Sequence, residues 1–84
     1  MYRIEYTRIA EKQIQKLERG VQDRIFKVLE RARIRPEMYF AKLTGHALYR
    51  LKAGDYRIIA DIQRGQLTIL VVKVSLRENV YDSI

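Results

Sequence analysis

The chain has 84 residues, 48% of them hydrophobic, with 17 Lys and Arg against 10 Asp and Glu, a formal charge of +7 and no Cys. That length fits one small domain spanning residues 1–84 and excludes a large cofactor cradle; the apolar fraction argues against disorder, and without Cys there is neither a disulfide framework nor a thiolate metal site. The charge, carried mostly by Arg, points to nucleic acid, an acidic protein or an anionic membrane surface as partner, with a merely solubilising basic surface as the alternative.

Tyr2 to Tyr6 (YRIEY) alternates apolar and charged residues, the pattern of a half-buried strand. Thr7 is a helix N-cap by residue type. Ala10, Ile14 and Leu17 follow at helical spacing, and Gly20 predicts the end of that helix. Val21, Ile25, Val28, Leu29 and Ala32 form a second helical stripe, which must stop before Pro36. Two helices joined around one Gly predict an antiparallel hairpin. Residues 36–47 read as loop with at most a helical turn.

Leu48 to Ala53 and Tyr56 to Gln63 read as strands joined by Gly54-Asp55, a two-residue turn with Gly first, as type II′ prefers. Arg64-Gly65 marks a weaker turn. Gln66 to Val74 (QLTILVVKV) is nearly continuous in apolar residues and predicts a central strand. The order is β-α-α-β-β-β. The expected fold is α+β, with the helix hairpin on one face of a four-stranded sheet.

The Gly54-Asp55 turn pairs Lys52 with Arg57, and Arg50 with Ile59. Alternation then puts Tyr49, Leu51, Ala53, Tyr56, Ile58, Ala60 and Ile62 on one apolar face. Arg50, Lys52 and Arg57 share the other. Like charges facing across a strand pair are destabilising, and a bound phosphate relieves them. The alternative is a solvated face on which long side chains splay apart. Past the last strand, Arg77 can reach the same patch, and Tyr81 either stacks on a base or packs down the terminus. Asp61 is a possible local counter-ion. His46 lies in a loop without a carboxylate partner and reads as a surface residue rather than a base. Asp, Glu and His show no metal-ligand spacing, no Gly-rich phosphate loop is present, and no cofactor is expected. No apolar run approaches about 18 residues, and MYRIEYTR is not a signal-peptide core. A cytoplasmic protein without membrane contact is expected.

The segments AKLTG (Ala41 to Gly45), YRLKAGDYRI (Tyr49 to Ile58) and SLRENVY (Ser75 to Tyr81), with the order of elements, resemble the RelE/ParE superfamily of toxins, closest to RelE. The resemblance implies a helix hairpin on a twisted, mainly antiparallel sheet and an acidic, RelB-like antitoxin as partner. It implies messenger RNA in the ribosomal A site as substrate, hence the ribosome as a second partner, and metal-independent attack of a ribose 2′-OH on the adjacent phosphodiester. On that pattern Lys52 matches the lysine assigned to proton removal. Arg50 stands where a second lysine is common and would hold the phosphate. Arg57 would stabilise charge on it, Arg77 would lie near the leaving 5′-oxygen, and Tyr81 would stack on a base. Arg50 departs from lysine in shape, and the sequence runs only three residues past Tyr81. Two other readings stay open: a ParE-like inhibitor of DNA gyrase, and a basic binding module without activity. Leu70, Val72 and Val74 are expected to be exposed and to need cover by the antitoxin.

Overall fold

The computed structural model describes residues 1–78. The chain forms β1 (Arg3–Tyr6), α1 (Arg8–Gln15), α2 (Arg19–Ala32), a 3₁₀ turn (Pro36–Met38), β2 (Ala41–Lys42), β3 (Tyr49–Ala53), β4 (Tyr56–Gln63), a second 3₁₀ turn (Arg64–Gln66) and β5 (Thr68–Leu76). The sheet has five strands in the order β1-β5-β4-β3-β2. Only the β1–β5 pair is parallel. The α+β class is as expected, and the four-stranded count is corrected to five. The added strand, β2, is two residues that pair with Tyr49 and Arg50 in what read as loop. A pair so short carries no periodicity for a sequence to display.

Helix α1 starts where Thr7 leaves the strand in an extended conformation and caps it. Thr7 Oγ1 accepts from Ala10 N–H at 3.1 Å, satisfying one of the helix's orphan donors. The same hydroxyl donates to Val72 O at 2.9 Å, and Thr7 N–H donates to Val71 O. Further along α1, Gln13 Oε1 accepts from Val74 N–H at 2.7 Å. Thus β1 covers the first half of the β5 edge, and Thr7 and Gln13 cover the next three residues. A sheet edge left bare is a pairing hazard; here a helix closes it.

The first helix ends at Gln15, before the expected Gly20, which instead lies in the first turn of α2. The corner is closed by other groups. Leu17 N–H donates to Ile14 O, and Gln22 Nε2 donates to Leu17 O at 2.9 Å. At the far end of α2, Arg33 Nε donates to Tyr2 O and its Nη1 meets Glu30 at 2.8 Å. Tyr2 N–H donates back to Arg33 O. The helix end is therefore tied to the start of the sheet.

Ala10 and Ile14 of α1 and Ile25, Leu29 and Ala32 of α2 meet Leu51, Ile58, Ile69 and Val71 of the sheet in one core. Between β4 and β5 the register shifts: Ile59 faces Lys73, but Ala60 faces Val71, so Val72 is an extra residue. Such a bulge changes the phase of a strand. It turns Val74 inward, where it is 2% exposed. The expectation that Val74 lies bare on the outer face is thus overturned, and Leu70 and Val72 are half-buried rather than exposed. The strand itself begins at Thr68, after a 3₁₀ turn and Leu67 in the left-handed region. No helix among the described residues is long and apolar enough to cross a membrane.

Two outcomes test this account. Thr7→Val keeps the shape of the side chain but removes the cap and the bond to β5. It should cost about 1–2 kcal/mol in urea unfolding, with Thr7→Ser close to the parent. Burial, with the charge of Glu30, pushes the Tyr6 phenol above its ordinary value, against the pull of Arg33. A phenol raised on folding keeps its full contribution below the unfolded value of about 10 and loses it as pH rises through the folded one. Melting temperatures should therefore fall above about pH 10, and less steeply in Tyr6→Phe.

Candidate nucleic-acid interface

The β3–β4 hairpin has the register the sequence predicts: Lys52 opposite Arg57, Leu51 opposite Ile58, Arg50 opposite Ile59. Only Gly54 of the two turn residues has positive φ, +61°, the type II′ signature. Leu51, Ala53, Ile58 and Ala60 enter the core, which leaves Arg50, Lys52 and Arg57 to the other side.

Among the described residues no carboxylate holds Arg57. Its Nη1 donates to Gly54 O and to Tyr56 O, both at 3.0 Å. Two carbonyl dipoles thus offset part of the repulsion from Lys52. Asp61, considered above as a counter-ion, instead accepts from Gln63 Nε2 at 3.1 Å and forms no ion pair with Arg50 or Arg57. Lys52 is exposed at the edge of the pair.

Strand β5 delivers Arg77 to the same end. Ser75 pairs with Arg57 and Leu76 with Tyr56, and Arg77 N–H donates to Asp55 O at 2.9 Å. Lys52, Arg57 and Arg77 therefore gather at one hairpin tip, with Arg50 two residues further along β3. Tyr81 lies outside the described residues. At the other end of β4, Arg64 lies near Tyr49 and Tyr2, whose phenols hold its guanidinium above the ordinary value. That pairing is remote from the tip.

Two features of this face escaped the sequence. Ile59 sits in the cation row yet is fully buried, under Leu43 and Leu48. Leu43 N–H donates to Leu48 O and His46 N–H to Leu43 O, so residues 43–48 fold over the sheet as a small cover. This brings His46 to a depression of about 400 Å³ that Lys42, Thr44 and Arg50 also line. The second feature is Arg24 on α2. A methyl group at Gly54 would meet Arg24 Nη1 at 2.6 Å, so the helix adds a cation to the tip. Thirty positions separate the two residues, and only packing brings them together.

The arrangement can hold an anion and stabilise one that gains charge. Among the described residues no group of three His, Asp or Glu side chains is placed to hold a metal ion.

The family model described as the ParE toxin of the type II toxin–antitoxin system parDE matches residues 4–81. No curated protein sequence matches significantly. The isolated Escherichia coli RelE toxin superposes with a TM-score of 0.79 at 25% identity, covering 98% of this chain and 93% of that one. RelE in the archaeal RelE–RelB complex of Pyrococcus horikoshii gives 0.77 at 26% identity, covering 90% and 94%. The intact E. coli RelBE toxin–antitoxin complex gives 0.77 at 23%, covering 90% and 96%. With the model spanning nearly the whole sequence and the RelE fold superposing over 98% of the chain, the chain belongs to the ParE toxin family of type II toxin–antitoxin systems, within the RelE/ParE superfamily.

Proposed function

We propose that this protein is a ribosome-dependent endoribonuclease that cleaves messenger RNA in the A site and is neutralised by a cognate acidic antitoxin. The observation that carries the reading is the meeting of Lys52, Arg57 and Arg77 at one hairpin tip, with Arg50 beside them. In the proposed reaction the ribose 2′-oxygen attacks the adjacent phosphorus and its proton passes to Lys52. The bond from phosphorus to the 5′-oxygen breaks, leaving a 2′,3′-cyclic phosphate and a 5′-alkoxide that takes a proton from water to become the 5′-hydroxyl. Arg50 and Arg57 hold the non-bridging oxygens as their charge grows, the kind of fixed electrostatic stabilisation that lowers a barrier most. Arg77 lies near the leaving oxygen as a charge stabiliser, since a guanidinium is a poor proton donor at neutral pH. Tyr81 stacks on a base, as the resemblance implies. The chemistry asks for no metal.

An antitoxin fits the charge of +7, and two of the three RelE structures above are complexes with RelB. A second reading, inhibition of DNA gyrase, is favoured by the family model, which is that of ParE.

Translating ribosomes with a defined A-site codon separate the two. Wild-type protein should cleave within that codon, and Arg77→Ala should lower the rate by roughly 10²–10³. No cleavage together with loss of gyrase supercoiling would move the assignment to the second reading. Neither activity would leave only a binding module.

A further inference from the structure

Asp23 and Glu30 of α2 pair with Arg19 and Arg33. Arg24, Lys27 and Arg31 lie along one flank of the helix, beside half-buried Val28 and next to Asp23, and take part in neither pair. All three are exposed. They rise along the helix over about 10 Å, at 1.5 Å per residue. This flank looks toward β3. Val28, Tyr39, Arg50 and Lys52 border one depression of about 410 Å³, and Val28 also borders a second of the same size with Asp23, Arg24, Lys27 and Arg31. Arg31 and Tyr39 share a third. The three adjoin as a single groove. One wall is Arg24, Lys27 and Arg31; the other is Arg50 and Lys52. Tyr39, 42% exposed, lies between them at one end.

A line of cations beside an exposed aromatic ring is the chemistry that single-stranded nucleic acid needs: charge for successive phosphates and a flat face for one base. The one acid that borders the α2 side of this groove, Asp23, is engaged by Arg19 at 3.8 Å, which leaves Arg24, Lys27 and Arg31 as its net charge. We propose that the groove between α2 and β3 binds single-stranded RNA, with phosphates along Arg24, Lys27 and Arg31 and one base on Tyr39. This rests on the reading of the protein as acting on RNA and extends it beyond the reacting phosphate. Arg24, which overlies Gly54, joins the groove to the hairpin tip.

Binding of a fluorescent 2′-O-methyl oligoribonucleotide of about ten nucleotides, which cannot be cleaved by 2′-oxygen attack, tests the groove without the ribosome. In the Arg24→Gln, Lys27→Gln, Arg31→Gln triple variant, the slope of log affinity against log salt should shrink by about 2, at about 0.7 per lost phosphate contact on a single strand. The Arg8→Gln, Lys12→Gln, Lys16→Gln variant removes the same charge from α1 and should keep a slope near wild type. Tyr39→Ala should weaken binding about tenfold with the slope unchanged, and Tyr39→Phe should restore it. Equal losses in the two triple variants, or wild-type binding in the α2 triple, overturn the proposal. So does an α2 triple that keeps RNA affinity but releases polyglutamate, which would give the groove to an acidic protein. Because the oligonucleotide is never cut, these outcomes stand apart from the ribosome assay. Cleavage can fail while the groove binds, and the groove can fail while cleavage persists.

Discussion

The pairing of Lys52 with Arg57 is fixed by what lies on the opposite side of the sheet. The two-residue turn at Gly54 and Asp55 sets the register, and alternation sends Leu51, Ala53, Ile58 and Ala60 into the core. A slip of one residue would exchange the faces and bury the cations, at a cost no exposed pair approaches. The magnitudes decide the matter. Two exposed charges about 4 Å apart repel by roughly 1 kcal/mol in water. Each fully buried Leu or Ile contributes about 1.5–3 kcal/mol. Packing therefore holds like charges together that would separate if left to themselves.

The third arm of the cluster depends on a different set of contacts. Arg77 reaches the tip only because β5 runs to Leu76 in register with Tyr56. That register includes a bulge at Val72, the point at which the parallel β1 has ended. Thr7 and Gln13 of α1 take over there, bonding Val71 and Val72 carbonyls and the Val74 amide. A helix cap beside the middle of β5 thus helps to set where an arginine emerges at the end of that strand. The same bulge turns Val74 into the core, which is why the outer face is less apolar than an unbroken strand would make it.

The hairpin was legible in the sequence because two local signals agree on it: alternation and a Gly-first turn. The two helices were legible from their apolar stripes, but their junction was not. Gly20 is a plausible stop, yet Gln22 and Leu17 close the corner first. The phase of β5 was hidden because a bulge leaves no mark in a run as nearly continuous in apolar residues as Ile69 to Val72. Ile59 appeared to interrupt a cationic face; it is the floor on which Leu43 and Leu48 sit. Arg24 had no local signal at all, since its neighbour Gly54 is brought to it by the packing of Ile25 and Leu29. What the sequence showed was the chemistry on one element, and what it hid was chemistry assembled from several.

Arg57 illustrates how such a cluster can wait for an anion. Its Nη1 is committed to the carbonyls of Gly54 and Tyr56, while among the described residues Nε and Nη2 make no hydrogen bond. The turn therefore orients the guanidinium without saturating it. A flexible cation in open solvent must lose rotamer freedom when it meets a phosphate. One already anchored through a single nitrogen loses less, so more of the attraction appears as binding or as stabilisation of a growing charge. The turn carbonyls also soften the repulsion from Lys52, and so a resting protein without its anion remains folded. A carboxylate in their place would have quieted the repulsion more fully, but it would have competed with the phosphate for the same cation. Anchoring by neutral dipoles keeps the charge available, which is the condition that the phosphate-directed role proposed above requires.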